Sequence, residues 1–378
     1  MKKMLNTFLK FADLLRKRKY SQPIYSEKNF IFIDNKFENY FKQISVFFES
    51  GFLDKANTVL VTKFYTKNYF NVSREASRLG IKTHFYFFYS QIPLLNGKTV
   101  FYPFNGQVNC RLILNREACH VFLTHGESNK KASVNRMARL YDYVIVTGDI
   151  SCDRYLENKV FSESDLRDGR IVKVGTTLSA PCFDDLAPDG SEPCVAYLPT
   201  WEGGNEEENF SSMASPHVAH FLAALCTQLN VSSVIIKPHP NMGGRVAAYQ
   251  KHLADLVRQL QQSGIKVYMD TATQKWRRIA GKPHAELSVR MGVCDVSASE
   301  FMLAAKKIPS ILLVNGSKQI FATKKYMELR KNLIININDL SDVERFFSKP
   351  LSIRDFTFFA EALYKYSFSE NSKQQFII

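Results

Sequence analysis

From about residue 29 onward, short apolar runs rich in Phe, Ile, Val and Tyr alternate with helix-compatible segments, break off at a proline-rich stretch, and begin again. The first series runs over 29–33 (NFIFI), 57–64 (NTVLVTKF), 82–89 (KTHFYFFY), 120–124 (HVFLT), 143–147 (YVIVT) and 170–174 (RIVKV). Near-continuous apolar strands separated by helices predict a mostly parallel sheet covered on both faces. Residues 178–193 (LSAPCFDDLAPDGSEP) hold three prolines and little periodicity, as a crossing between domains does. The second series runs over 194–198 (CVAYL), 233–237 (SVIIK), 265–269 (IKVYM), 293–296 (VCDV) and 310–314 (SILLV), with helices predicted over 215–230 and 245–262. The expected architecture is α/β: two doubly wound Rossmann-like domains facing a cleft, over residues 23–185 and 190–350. A basic amphipathic helix over 1–22 is expected to precede them, and a helical tail over 351–378 to cross back towards the first domain. A chain of 378 residues suits two domains.

Composition narrows the classes. With 45% hydrophobic and 23% charged residues, the chain can build real cores and is not of the disordered type. No stretch approaches the roughly 18 apolar residues of a membrane-spanning helix. Lys10 and Asp13 interrupt what would be the apolar part of a secretory signal. The seven cysteines form no C-x-x-C pair, so neither a disulfide framework nor a structural zinc site is expected, and a reduced, cytoplasmic setting is. The net charge of +14 attracts a polyanion. Residues 1–20 carry seven basic side chains against Asp13 alone, with Met4, Leu5, Phe8, Leu9, Phe11, Ala12, Leu14 and Leu15 at helical spacing between them. Such a helix either lies on the inner face of an anionic membrane, making the protein peripheral there, or docks on its own domain. No P-loop, G-x-G-x-x-G or H-E-x-x-H motif is present, so neither a dinucleotide nor a metal is implied. No nucleic-acid module is recognisable either, and nucleic acid is not an expected partner. The acidic segment 201–210 (WEGGNEEENF) reads as a mobile, solvated loop.

Ligands of doubly wound sheets bind outside the carboxyl ends of the strands. Four such ends carry chemistry. His125 and Gly126, followed by Lys130 and Lys131, can set an imidazole and cations over a substrate. Pro199-Thr200-Trp201 offers a hydroxyl or an amide to a phosphate, with an aromatic wall beside it. Lys237-Pro238-His239-Pro240 holds two phosphate donors, its imidazole restricted by a proline on either side. Asp295-Val296-Ser297-Ala298-Ser299-Glu300 ends a strand and opens a helix, where serines suit an N-cap and the helix start suits an anion. Each has an ordinary structural reading alone: a core histidine, a proline turn, a serine cap. Their convergence on one cleft is the stronger signal.

In this order the four stretches resemble the CDP-glycerol glycerophosphotransferase family, bacterial polymerases and primases of teichoic acid and capsule. The matching residues are His125, Gly126 and Lys130 or Lys131; then Pro199, Thr200 and Trp201; then Lys237, His239 and Pro240; and last Asp295 and Ser297. The likeness covers about residues 100–320. The chain departs from the pattern at Thr124, Glu127, Ser128, Glu202, Val296 and Ala298. The resemblance implies a GT-B arrangement with the nucleotide held by the second domain. It also implies transfer of glycerol or ribitol phosphate from a CDP-linked donor to a hydroxyl of an anionic or lipid-linked acceptor, with release of CMP and no further cofactor. In that reading His125 and His239 are catalytic. Lys237, Thr200, Asp295, Ser297, Ser299 and Glu300 bind the donor, and Gly126, Lys130 and Lys131 the acceptor. Two alternatives stand beside it. One is a GT-B glycosyltransferase using a nucleotide sugar, in which Glu300 resembles a ribose-binding glutamate. The other is an inactive scaffold that binds anionic polymer.

Overall fold

The strands assemble into two separate sheets, and every strand pair in both is parallel. The computed structural model describes residues 22–34, 41–124, 126–178, 192–270, 281, 287–316 and 318–368. The first sheet holds β1 (Asn29–Ile33), β2 (Thr58–Lys63), β3 (Lys82–Tyr86), β4 (Thr99–Tyr102), β5 (Cys119–Phe122), β6 (Tyr143–Val146) and β7 (Ile171–Lys173), in the order 3-2-1-4-5-6-7. The second holds β8 (Glu192–Leu198), β9 (Ser233–Ile236), β10 (Lys266–Met269), β11 (Leu287–Asp295), β12 (Ser310–Val314) and β13 (Ile334–Asn336), in the order 10-9-8-11-12-13. Each sheet starts in its middle, winds one way, then reverses and winds the other, as a Rossmann-like sheet does. Two such lobes make the GT-B architecture.

Alternation of side chains fixes both faces. On β1, Phe30 and Phe32 join one core with Val59 and Val61, while Ile31 and Ile33 join another with Leu60 on the opposite face. In the second lobe Val195 and Tyr197 enter one core and Ala196 and Leu198 the other. Helices cover these faces, among them α1 (Phe41–Glu49) and α2 (Thr66–Leu79) in the first lobe. In the second they include α3 (Val218–Leu229) and α4 (Ala248–Gln262), close to the ranges predicted. Two strands were not read in the sequence, β4 and β13, and β11 extends well upstream of the predicted 293–296.

The last helix, α5 (Ile353–Ser367), crosses back to the first lobe. Leu363, Tyr366 and Phe368 pack with Ile150 of the first lobe and Phe301 of the second. The Tyr366 hydroxyl donates to Asp153 at 2.7 Å. The passage is close: a Cβ on Gly148 would stand 2.6 Å from the Ser367 carbonyl oxygen, so glycine is required there. Among the described residues no helix is long and apolar enough to cross a membrane. The basic helix expected at the N-terminus, most of the proline-rich crossing and the end of the tail fall on residues 1–21, 179–191 and 369–378, outside the described residues.

Candidate active site

The winding of the second sheet reverses between β8 and β11, which opens a crevice beyond their carboxyl ends. Thr200 follows β8 and Asp295 ends β11, and the Thr200 amide donates to Asp295 Oδ2 at 2.7 Å. Both side chains are buried. Burial pushes the Asp295 carboxyl up to about 7, while hydrogen bonds from Ser212 and from the Thr200 amide, and the charge of Lys130, pull the other way.

Lys130 comes from the first lobe. Its Nζ reaches across to Thr200 Oγ1 at 3.3 Å and lies 5.5 Å from the centre of the Phe210 ring. Burial lowers its pKa, opposed by the charges of Asp295 and Glu208. The lobes also meet where the Phe321 amide donates to the Asn129 carbonyl at 2.8 Å, one residue before Lys130. A Cβ built on Gly126 would sit 3.7 Å from Ala298, so the loop after β5 faces the turn after β11.

His239 completes the cluster. Its ring stacks on Trp201 with centroids 5.8 Å apart and planes at 17°. Its Nδ1 accepts the Asn241 amide at 3.1 Å. Burial lowers its pKa to about 4, the charge of Lys130 adding to the effect and Glu202 opposing it. The ring is therefore neutral near pH 7. With Nδ1 an acceptor, the proton sits on Nε2, which is left as a donor.

Two buried carboxylates hold the loops in place. Glu202 is fully buried and accepts the amides of Arg245 at 2.8 Å, Val246 at 2.9 Å and Gly243 at 3.0 Å. Burial opposes its charge, yet these amides hold its pKa below the ordinary carboxylate range. The start of the acidic segment is thus pinned rather than mobile and solvated as expected, while Glu206, Glu207 and Glu208 do face solvent. Behind the loop after β5, Glu127 pairs with Arg154 at 2.5 Å and accepts the Ser151 hydroxyl, and Arg154 also donates to Asn129. In the same loop Thr124 adopts φ 55° and Gly126 φ 104°. A β-branched residue at positive φ is strained by about 1–3 kcal/mol, and such strain concentrates at functional turns.

The sequence named eleven candidates, and the structure brings together Lys130, Thr200, His239 and Asp295, with Gly126 against the turn after β11. His125 lies outside the described residues. Lys237 is at the same strand end as His239, but its ammonium is held by Asp270 at 2.7 Å. Lys131 is exposed on the turn Lys131–Val134. Ser297 Oγ accepts the Ser299 amide at 3.2 Å, and the cap of the helix Ser299–Ala305 is Ala298 rather than a serine. Glu300 is not at the site. It is fully buried, pairs with Arg330 at 2.7 Å and accepts the Tyr326 hydroxyl, facing away from the crevice into the lobe. Its place as the first turn of a helix after a strand suited a ribose ligand; the arginine 30 residues later, which claims it, was not foreseen. Among the described residues no group of three or more His, Cys, Asp or Glu could hold a metal.

No family model and no curated protein matches the chain. Among solved structures it is similar to the wall teichoic acid polymerase TagF, at 11% identity over 90% of this chain and 83% of that one, with a TM-score of 0.49. It is similar also to a glycosyltransferase from Rickettsia africae, at 13% identity over 92% and 96%, TM-score 0.47. A UDP-GlcNAc 2-epimerase from Neisseria meningitidis follows, at 9% identity over 89% and 94%, TM-score 0.49.

Proposed function

We propose that the chain is a transferase that moves a group from a nucleotide-linked donor to a hydroxyl of an acceptor. One observation carries the reading: a lysine of the first lobe reaches over the switch point of the second to the Thr200 hydroxyl, the Thr200 amide donates to Asp295, and the charge of Lys130 acts on both Asp295 and His239. A departing nucleotide builds up negative charge on its phosphates, and preorganised donors in a partly desolvated cleft stabilise that charge. Lys130 and His239 would meet the phosphate oxygens, with Thr200 positioned between lobes. His125, between Thr124 and Gly126, would take the proton of the acceptor hydroxyl as its oxygen attacks. The bond from the donor group to the nucleotide breaks, and the nucleotide leaves with the electron pair.

The order of the four motifs favours a CDP-linked polyol as donor, with glycerol or ribitol phosphate as the group moved. A nucleotide sugar is the second reading. It is favoured by the departure at the turn after β11: Ala298 brings no hydroxyl opposite Gly126. The test is to incubate the protein with CDP-glycerol, CDP-ribitol and a panel of nucleotide sugars, with and without acceptor, and to measure nucleotide released. Release dependent on acceptor, and lost in His125→Ala and His239→Ala, is expected. Silence with every donor would refute the transferase and leave the polymer-binding scaffold.

A further inference from the structure

The first sheet has a switch point of its own, between β1 and β4, and a second polar cluster stands there. Asp34 follows β1. Its carboxylate accepts the Tyr65 hydroxyl at Oδ1 and the Tyr89 hydroxyl at Oδ2, both at 2.6 Å, and Lys63 Nζ lies 3.6 Å from Oδ2. The side chain of Asp34 is 4% exposed. Tyr86, at the end of β3, adds a buried hydroxyl beside the same carboxylate. Arg111 stacks on the outer ring, its guanidinium carbon 4.3 Å from the centre of Tyr89, and is itself exposed. Lys63 lies 5.8 Å and 5.7 Å from the centres of the Tyr65 and Tyr89 rings.

The cluster draws on the carboxyl ends of β1, β2 and β3 and on the short helix after β4. No folding demand explains so much polar material at one spot. A buried carboxylate there could have been avoided by an apolar residue, and among the described residues the Arg111 side chain has the Tyr89 ring as its contact, with no hydrogen bond or ion pair. Among the described residues, two cations stand against one carboxylate there. A tyrosine hydroxyl can accept as well as donate, half-buried rings offer stacking faces, and a guanidinium forks onto a phosphate.

We propose that Tyr65, Tyr89, Lys63 and Arg111, organised by Asp34, bind a phosphate-bearing polyhydroxylated compound, which is the acceptor of the transfer. The assignment of the ligand as acceptor rests on the proposed function; the site itself does not. β1 and β5 are two strand spacings apart, about 10 Å, so an acceptor held at Asp34 extends along the sheet edge to the loop that carries Lys130.

The test uses the whole protein and sn-glycerol 3-phosphate as probe, with glycerol and inorganic phosphate as separate arms, binding being followed by ligand-observed NMR. The phosphate ester is expected to bind more tightly than either part. Arg111→Ala is expected to weaken it about tenfold and Lys63→Met by a similar factor, as loss of a charged donor does. Arg258→Ala, an exposed arginine of α4 paired with Asp255, serves as control and is expected to bind as the unaltered protein does. Equal affinity in Arg111→Ala and Lys63→Met overturns the site, as does no binding at all. Inorganic phosphate binding as tightly as the ester would also overturn it, reducing it to a simple anion site. Nucleotide release is measured on the same samples. Silence there refutes the transferase, whereas the affinities alone judge the site.

Discussion

Lys130 Nζ, carried by the first lobe, lies 3.3 Å from the hydroxyl of Thr200, carried by the second. The cation that the sequence assigned to the acceptor side therefore stands at the switch point of the other lobe. Lys130→Met keeps the length of the stem and removes the charge. Nucleotide release should fall by about 100-fold, the usual loss when one preorganised donor is removed. Lys130→Arg should recover part of it. Wild-type rates in a folded Lys130→Met protein would remove Lys130 from the reaction.

His239 should titrate near pH 4, because burial and the charge of Lys130 both disfavour its protonated form. The sign follows from linkage. Below about pH 6.5 the unfolded chain binds a proton that the folded one refuses, so stability falls as pH drops from about 6.5 towards 4. The imidazole signals of His239 followed by NMR give the midpoint directly. In Lys130→Met the midpoint should move up towards the ordinary value, and an unmoved midpoint would mean that the two groups do not sense each other.

Asp295 has the opposite linkage. Its carboxyl is pushed up to about 7 by burial, so between about pH 4 and 7 the folded protein holds a proton that the unfolded chain has lost. Stability from this group is complete below pH 4 and drains away as pH rises through 7. Asp295→Asn keeps an acceptor for the Thr200 amide and removes the charge. It should gain in melting temperature over the parent at pH 8 and much less at pH 5. An equal shift at both would show that Asp295 ionises freely.

Much of this was open to sequence reading, because parallel strands buried on both faces write themselves as apolar runs. β1, β6 and β12 are such runs and were found within a residue. β4 escaped: four residues, squeezed between Gly97 and Pro103, give no period to read. With β4 unseen, the switch point of the first sheet was unseen too, and so was the Asp34 cluster. Its members are distant in sequence, and a lone Asp or Tyr after a strand carries no motif. The four strand-end motifs were legible as chemistry but not as partners. That Lys237 faces Asp270 depends on how β9 and β10 pair, and that Lys130 faces Thr200 depends on how the lobes meet.

Glu300 and Arg330 form an ion pair sealed from solvent, and Arg330 also donates to the Ser310 carbonyl at 2.7 Å. Removing one partner strands the other charge. Glu300→Ala should therefore cost about 3–5 kcal/mol of stability. Glu300→Gln, which keeps an acceptor, should cost less. The effect should appear in denaturant unfolding, with the donor KM of the surviving folded protein unchanged. A stable Glu300→Ala protein with a raised donor KM would return Glu300 to the crevice.

Thr124 sits at φ 55° directly before His125, and its buried hydroxyl has no hydrogen-bond partner among the described residues. Both features cost stability. Positive φ in a β-branched residue costs about 1–3 kcal/mol, and an unsatisfied buried hydroxyl about 1–3 kcal/mol. Thr124→Gly relieves both, against roughly 1 kcal/mol of added freedom in the unfolded chain. The variant should be more stable by about 1 kcal/mol or more, seen as a raised melting temperature. Its turnover should fall, because a glycine no longer fixes the direction in which the chain presents His125. A gain in stability with turnover intact would leave the strained turn without a part in catalysis. A loss of stability would mean that the surrounding loop, from Glu127 and Arg154 inward, needs the threonine for packing.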